Sequence, residues 1–132
     1  MSLTKQEIRV KTWPPPTGPY SQAIRAGDFV FVSGQTSVDI TSGRPIETDL
    51  YKQSETGFKN IIALAESAGG TSNSVVKTSV FVTNLVQQTP HVNSAIEKLF
   101  DKPYPSRTTV SINSVANVGN ITVDAVLYIP HK

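Results

Sequence analysis

The chain has 132 residues, of which 38% are hydrophobic, with 12 Lys and Arg against 10 Asp and Glu for a formal net charge of +2, and it has no cysteine. That length suits one domain, residues 1–132, in which 1–17 form an N-terminal strand and a proline-rich lead-in. No apolar run approaches the ~20 residues of a bilayer crossing; the small, scattered positive charge argues against nucleic-acid or membrane partners; and the missing thiols exclude disulfides, a cysteine nucleophile and a thiolate metal site.

Ile8-Arg9-Val10 reads as a short first strand, and Trp13-Pro14-Pro15-Pro16 then imposes an extended connection poor in hydrogen bonds. Gly18-Pro19-Tyr20-Ser21-Gln22-Ala23 is a turn presenting an aromatic hydroxyl, and it leads into Ile24-Arg25-Ala26. Gly27-Asp28 joins that strand to Phe29-Val30-Phe31-Val32-Ser33 as a hairpin, which Gly34-Gln35 ends. Thr41-Ser42-Gly43 signals another turn, and the segment to Thr48 is expected to be irregular, with one short strand at most.

A helix follows. Asp49 suits its positive end, and Leu50, Ser54, Phe58, Ile61, Ile62, Ala65 and Ala68 recur at helical spacing until Gly69-Gly70 stops it. Gly57 inside this helix costs up to ~1 kcal/mol relative to alanine, which implies close packing at that point. Val75 to Val82 is rich in β-branched residues and apolar on both faces, the pattern of a central strand.

Thr89-Pro90 supplies an N-cap and first-turn proline for a second helix, whose stripe is Val92, Ala95, Ile96, Leu99 and Phe100. Pro103 and Pro105 hold an extended run before Arg107, and a strand from Thr108 to Ile112 follows. After a turn around Asn117 to Asn120, a last strand spans Ile121 to Ile129, with Ile121, Val123, Ala125 and Leu127 facing inward. This order predicts an α+β domain: a single mixed sheet with two helices packed on one face, the other face covered by another copy of the chain.

Arg107 is the residue with the most pointed chemistry. Its planar, permanently charged fork matches the two oxygens of a carboxylate, although an arginine at a strand end is most often simply solvated. His91 and His131 stand too far apart, and too unaccompanied, to suggest a metal site or a catalytic triad. Asn120-Ile121-Thr122 matches a glycosylation sequon that runs into a strand and reads as chance.

Five segments, Gly18 to Ala23, Ser33-Gly34-Gln35, Val76 to Val82, Val92-Asn93 and Pro105-Ser106-Arg107, resemble in order and spacing the Rid (YjgF) family of reactive-intermediate deaminases. The resemblance runs from Gly18 to Tyr128. It implies a chorismate-mutase-like fold assembled as a homotrimer with a cleft at each subunit interface. It also implies hydrolysis of 2-imino or enamine acids, such as 2-aminoacrylate or 2-iminobutanoate, to 2-keto acids and ammonia. No metal or organic cofactor is implied; the expected location is cytoplasmic, with the mitochondrion second.

By the same resemblance Arg107 is the carboxylate clamp, Tyr20, Ser33 and Asn93 line the cleft, and Gly34 lets the backbone approach the ligand. Two positions depart from the pattern: Thr109 stands where the best-studied branch has a cysteine, and Thr122 where it has the glutamate that holds the attacking water. Both threonines remain substrate contacts, but neither takes a proton at neutral pH. Asp124, on the same strand face as Thr122, is the candidate base, with Tyr20 helping to aim the water. The leading expectation is therefore a cofactor-independent deaminase. A non-catalytic binder of small carboxylates is the alternative, and a ribonuclease, an activity reported for some relatives, is the third.

Overall fold

The final strand dictates the sheet. In the computed structural model, which describes residues 4–39, 42–46, 48–116 and 119–131, strand β8 (Ile121–Tyr128) alternates between buried and more exposed side chains along its length. It pairs on both edges, with β3 (Phe29–Thr36) and β6 (Val75–Val82), both antiparallel. Outward from these lie β2 (Ala23–Ala26) and β1 (Gln6–Ile8) on one side and β7 (Ser106–Ser111) on the other, giving the order β1-β2-β3-β8-β6-β7. Only β6 and β7 run parallel, because α2 (Leu85–Leu99) connects them by a crossover. Helix α1 (Leu50–Ser67) joins the β3 region to β6, and a small hairpin of β4 (Val38–Asp39) and β5 (Arg44–Pro45) precedes it.

Both helices pack on one face of the mixed sheet. Phe58, Ile61 and Leu64 of α1 and Val92 and Ala95 of α2 are fully enclosed against Val30, Val80, Val82, Ile121, Val123 and Leu127. A Cβ added to Gly57 would lie 3.2 Å from Val123 Cγ2, so the glycine is what lets α1 approach β8. On the opposite face Phe29, Phe31, Val110 and Tyr128 are exposed.

Several boundaries differ from the sequence reading. Strand β1 ends at Ile8 rather than running from Ile8 to Val10. Strand β3 continues past Gly34 to Thr36, since an irregularity between Val32 and Gln35 lets the strand resume pairing, Gln35 with Val123 and Thr36 with Thr122. The irregular stretch after it contains two short strands; Thr41 lies outside the described residues.

Helix α2 starts four residues before Thr89, with Asn84 as N-cap accepting from the Gln87 N–H, so Thr89-Pro90 sits inside it. Pro90 has no N–H to offer the Val86 carbonyl, and Val86 is 88% exposed, where water can take the place of that donor. Strand β7 starts at Ser106, which puts Arg107 within the strand rather than before it. Asn117 falls outside the described residues, and Gly119 turns with φ +128.

Asn120, read from sequence as the end of a turn and part of a chance sequon, is the hub of a polar network beneath both helices. It exchanges hydrogen bonds with Gln53 of α1: its backbone N–H donates to Gln53 Oε1 at 2.9 Å, and its Oδ1 accepts from Gln53 Nε2 at 3.3 Å. Its Nδ2 donates to Thr83 Oγ1, and its carbonyl accepts from Gln88 Nε2 of α2 at 2.8 Å.

Candidate functional site

Register decides which candidate residues share a side. Arg107 pairs with Thr78, and Thr109 with Val80, both of which point into the helix-covered core. Arg107 and Thr109 therefore lie on the helix face of β7. Asp124 pairs with Ser79, and Thr122 with Phe81, so these two lie on the opposite face, as the sequence reading expects of one another.

On the helix face Arg107 Nη1 donates to Oδ1 of Asn93, which α2 delivers at 2.7 Å. The guanidinium is exposed and has no ion pair with a carboxylate of the described residues. A concavity of about 370 Å³ adjoins it, lined also by Ile96, Glu97, Tyr104 and Pro105. Asn93 is thus a neutral brace: it fixes the fork without consuming its charge.

Tyr20, Ser33, Gly34 and Thr122 line a different cavity, of about 520 Å³. It forms because β2 ends where Ala23 meets Val32, leaving the Gly34–Thr36 edge of β3 without a β2 partner, and the proline-rich segment crosses that gap. Ser33 Oγ donates to the Ser21 carbonyl at 2.6 Å, so the hydroxyl pins the turn to the strand while its lone pairs stay available. Tyr20 is 55% exposed at the cavity rim.

Within the chain the two sets do not meet. Strands β3 and β7 are separated by β8 and β6, and three interstrand spacings of ~4.8 Å put them about 14 Å apart, too far for one small acid to span. Thr109 and Asp124 line neither cavity. Thr109 Oγ1 is closed to solvent and has no hydrogen-bond partner among the described residues. Among the described residues no cluster of His, Asp and Glu is arranged to hold a metal.

Gln22 and Asn60, both buried, also line the larger cavity. Sequence reasoning did not single them out. The signal for Gln22 was its place in the turn after Tyr20; Asn60 stood off the apolar stripe of α1 and carried no signal.

A family model described as Endoribonuclease L-PSP matches residues 10–129. The chain belongs to that family, also called RutC, YjgF or Rid. A RutC family protein of Pyrococcus abyssi is 32% identical over 126 residues, covering 96% of this chain and 98% of the relative. A 2-iminobutanoate/2-iminopropanoate deaminase of Dermatophagoides farinae is 27% identical, covering 95% of this chain and 97% of that protein. The crystal structure of RidA from Psychrobacter sp. PAMC 21119 superimposes with a TM-score of 0.87 at 34% identity, covering 94% of this chain and 99% of the other. The Rid fold is thus present from the lead-in to the last strand, and within this Rid chain both departures from the sequence pattern, Thr109 and Thr122, sit on paired sheet strands.

Proposed function

We propose that this chain hydrolyses small 2-imino or enamine acids to 2-keto acids and ammonia, in a homotrimer whose sites join the Arg107 edge of one copy to the Tyr20 cavity of the next. The observation that carries this reading is the braced arginine, held by a neutral amide beside a concavity with its charge unspent. The exposed Phe31, Val110 and Tyr128 on the helix-free face favour association of copies, and the deaminase name of the Dermatophagoides relative supports the chemistry.

In this reading Arg107 grips the carboxylate as a bidentate fork. A protonated imine beside a carboxylate is already electrophilic, so the site needs mainly to position one water. The water oxygen bonds to C2 as the C=N π electrons move to nitrogen. A proton passes from the added water to the amine, the C–N bond breaks to release ammonia, and the hydroxyl proton is lost as the ketone forms. Tyr20 and Thr122 hold the water, Ser33 and Gly34 shape the surroundings, and Asp124 is the proposed base. No cofactor enters these steps.

The test is ammonia release from freshly generated 2-aminoacrylate, with light scattering for the assembly. Arg107→Ala is expected to abolish acceleration while leaving the fold intact. Thr122, in place of a glutamate, favours one second reading, a binder without turnover. Tight 2-keto acid binding with no ammonia release would establish that reading. Cleavage of RNA that survives Arg107→Ala would instead favour a nuclease.

A further inference from the structure

The larger cavity carries more than a half-site. Its volume of about 520 Å³ lies in the ~300–1,000 Å³ range of pockets for sizeable ligands, and a three-carbon acid would fill only a small part of it. Trp13, Pro15 and Pro16 form its apolar wall, and Trp13 also packs against the hydrophobic core, which fixes that wall in place. None of the described side chains that line it carries a formal charge. A charged group moved from water into such a lining would lose hydration without gaining a counter-ion.

A second observation points to an occupant. Gln22 is 6% exposed, and its Oε1 accepts from the Val10 N–H at 2.8 Å, which fixes the amide in orientation. Its Nε2 has no hydrogen-bond partner among the described residues, although it is buried beside the cavity. A buried donor without a partner costs on the order of 1–3 kcal/mol, which a bound acceptor would recover.

Resting on the deaminase reading above, we infer that this cavity is a specificity pocket: the substrate is an imino acid with a large, uncharged side chain lying along Trp13 and the proline wall, with Gln22 as its polar contact. Trp13 and Gln22 are then specificity-determining residues. Acids with two- or three-carbon skeletons, 2-aminoacrylate among them, are still turned over but bind less tightly than the larger neutral ones, and those derived from acidic or basic amino acids are disfavoured.

Trp13 is the chain's only tryptophan, so its fluorescence reports occupancy directly. Wild-type protein is titrated with pyruvate, 4-methyl-2-oxopentanoate, 4-methylthio-2-oxobutanoate and 2-oxoglutarate, with calorimetry in parallel. The two large neutral acids are expected to bind at least about tenfold more tightly than pyruvate, the scale on which added apolar groups discriminate in a pocket. 2-Oxoglutarate should bind no better than pyruvate, and Trp13→Phe should shrink the preference while sparing pyruvate. Equal affinity for pyruvate and the large acids, or tightest binding of 2-oxoglutarate, overturns the inference. Arg107→Ala separates the two readings: if it leaves every affinity unchanged, the clamp is wrong, while a surviving preference for large neutral acids still supports the pocket.

Discussion

Gly34 lies so close to Thr122 that a Cβ built on it would stand 2.9 Å from the Thr122 hydroxyl oxygen. The contact falls where β3 resumes its pairing with β8, at the wall of the larger cavity. Threonine's branched side chain has few rotamers to retreat into. Gly34→Ala should therefore cost about 1–3 kcal/mol by overpacking, and Thr122→Ala should restore most of the loss. Denaturant titration of the two single variants and the double checks this; additive effects would show that the contact is not the cause.

Thr122 can align a water but cannot accept its proton. If the deaminase reading holds, Thr122→Glu should raise turnover of 2-aminoacrylate, by up to the order of 10² that a general base contributes. Asp124→Asn in the native background should lower turnover if Asp124 acts as base. Asp124 makes no side-chain hydrogen bond or ion pair among the described residues, so this change should leave stability nearly untouched, and an undiminished rate would remove it from the mechanism.

Gly57 sits against Val123, which is fully buried and cannot yield. Alanine gains up to ~1 kcal/mol in helix propensity, yet overpacking of a filled core costs ~1–3 kcal/mol. Gly57→Ala should be net destabilising in the wild type and neutral or better in a Val123→Ala background. Thermal unfolding of the four proteins decides it.

The two helices, their shared face and the inward set of β8 were legible because periodicity survives whatever the chain packs against: Val123 and Phe58 each announce a buried face on their own. The start of α2 was not, since Thr89-Pro90 carries the local signature of a first turn. The Asn84 cap and the exposure of Val86, which make the earlier start tolerable, show only in three dimensions. For the site, Arg107 and Asn93 were named from sequence, and their hydrogen bond joins a strand to a helix 14 residues away. The separation of Arg107 from Tyr20 and Ser33 was hidden, because it follows from sheet order rather than from any residue's character.

Asn120 illustrates the same limit in a buried setting. Its side chain accepts from Gln53, a residue 0% exposed, and donates to Thr83. Asn120→Ala should cost about 2–4 kcal/mol, since each group left unpaired in the interior carries a desolvation cost of about 1–3 kcal/mol. Asn120→Asp should be less damaging toward Thr83 only at acid pH, where a protonated carboxyl can still donate. Urea unfolding at two pH values reads both effects.

Glu55 supplies the clearest pH dependence. Its carboxylate receives Lys98 Nζ at 2.7 Å, binding α1 to α2, and also accepts from the Tyr51 hydroxyl at 3.1 Å. The Lys98 hydrogen bond, helped by Tyr51 and Lys59 and opposed by partial burial, holds its pKa below the ordinary 4.5. The folded state therefore releases this proton more readily than the unfolded chain does. The stabilisation is complete above about pH 4.5 and fades as pH falls through the lowered folded value. Lys98 is shifted the other way, upward from 10.5 by Glu55, so its share is complete below that value and is lost as pH rises through the raised one. Asp28, lowered by its hydrogen bonds from His131, adds acid sensitivity of its own, so the whole protein's slope is not diagnostic. The difference between wild type and Glu55→Gln is: it should be constant from pH 5 to 9 and shrink on acidification, and a difference that stays flat down to pH 2 would show that the Glu55–Lys98 contact does not form in solution.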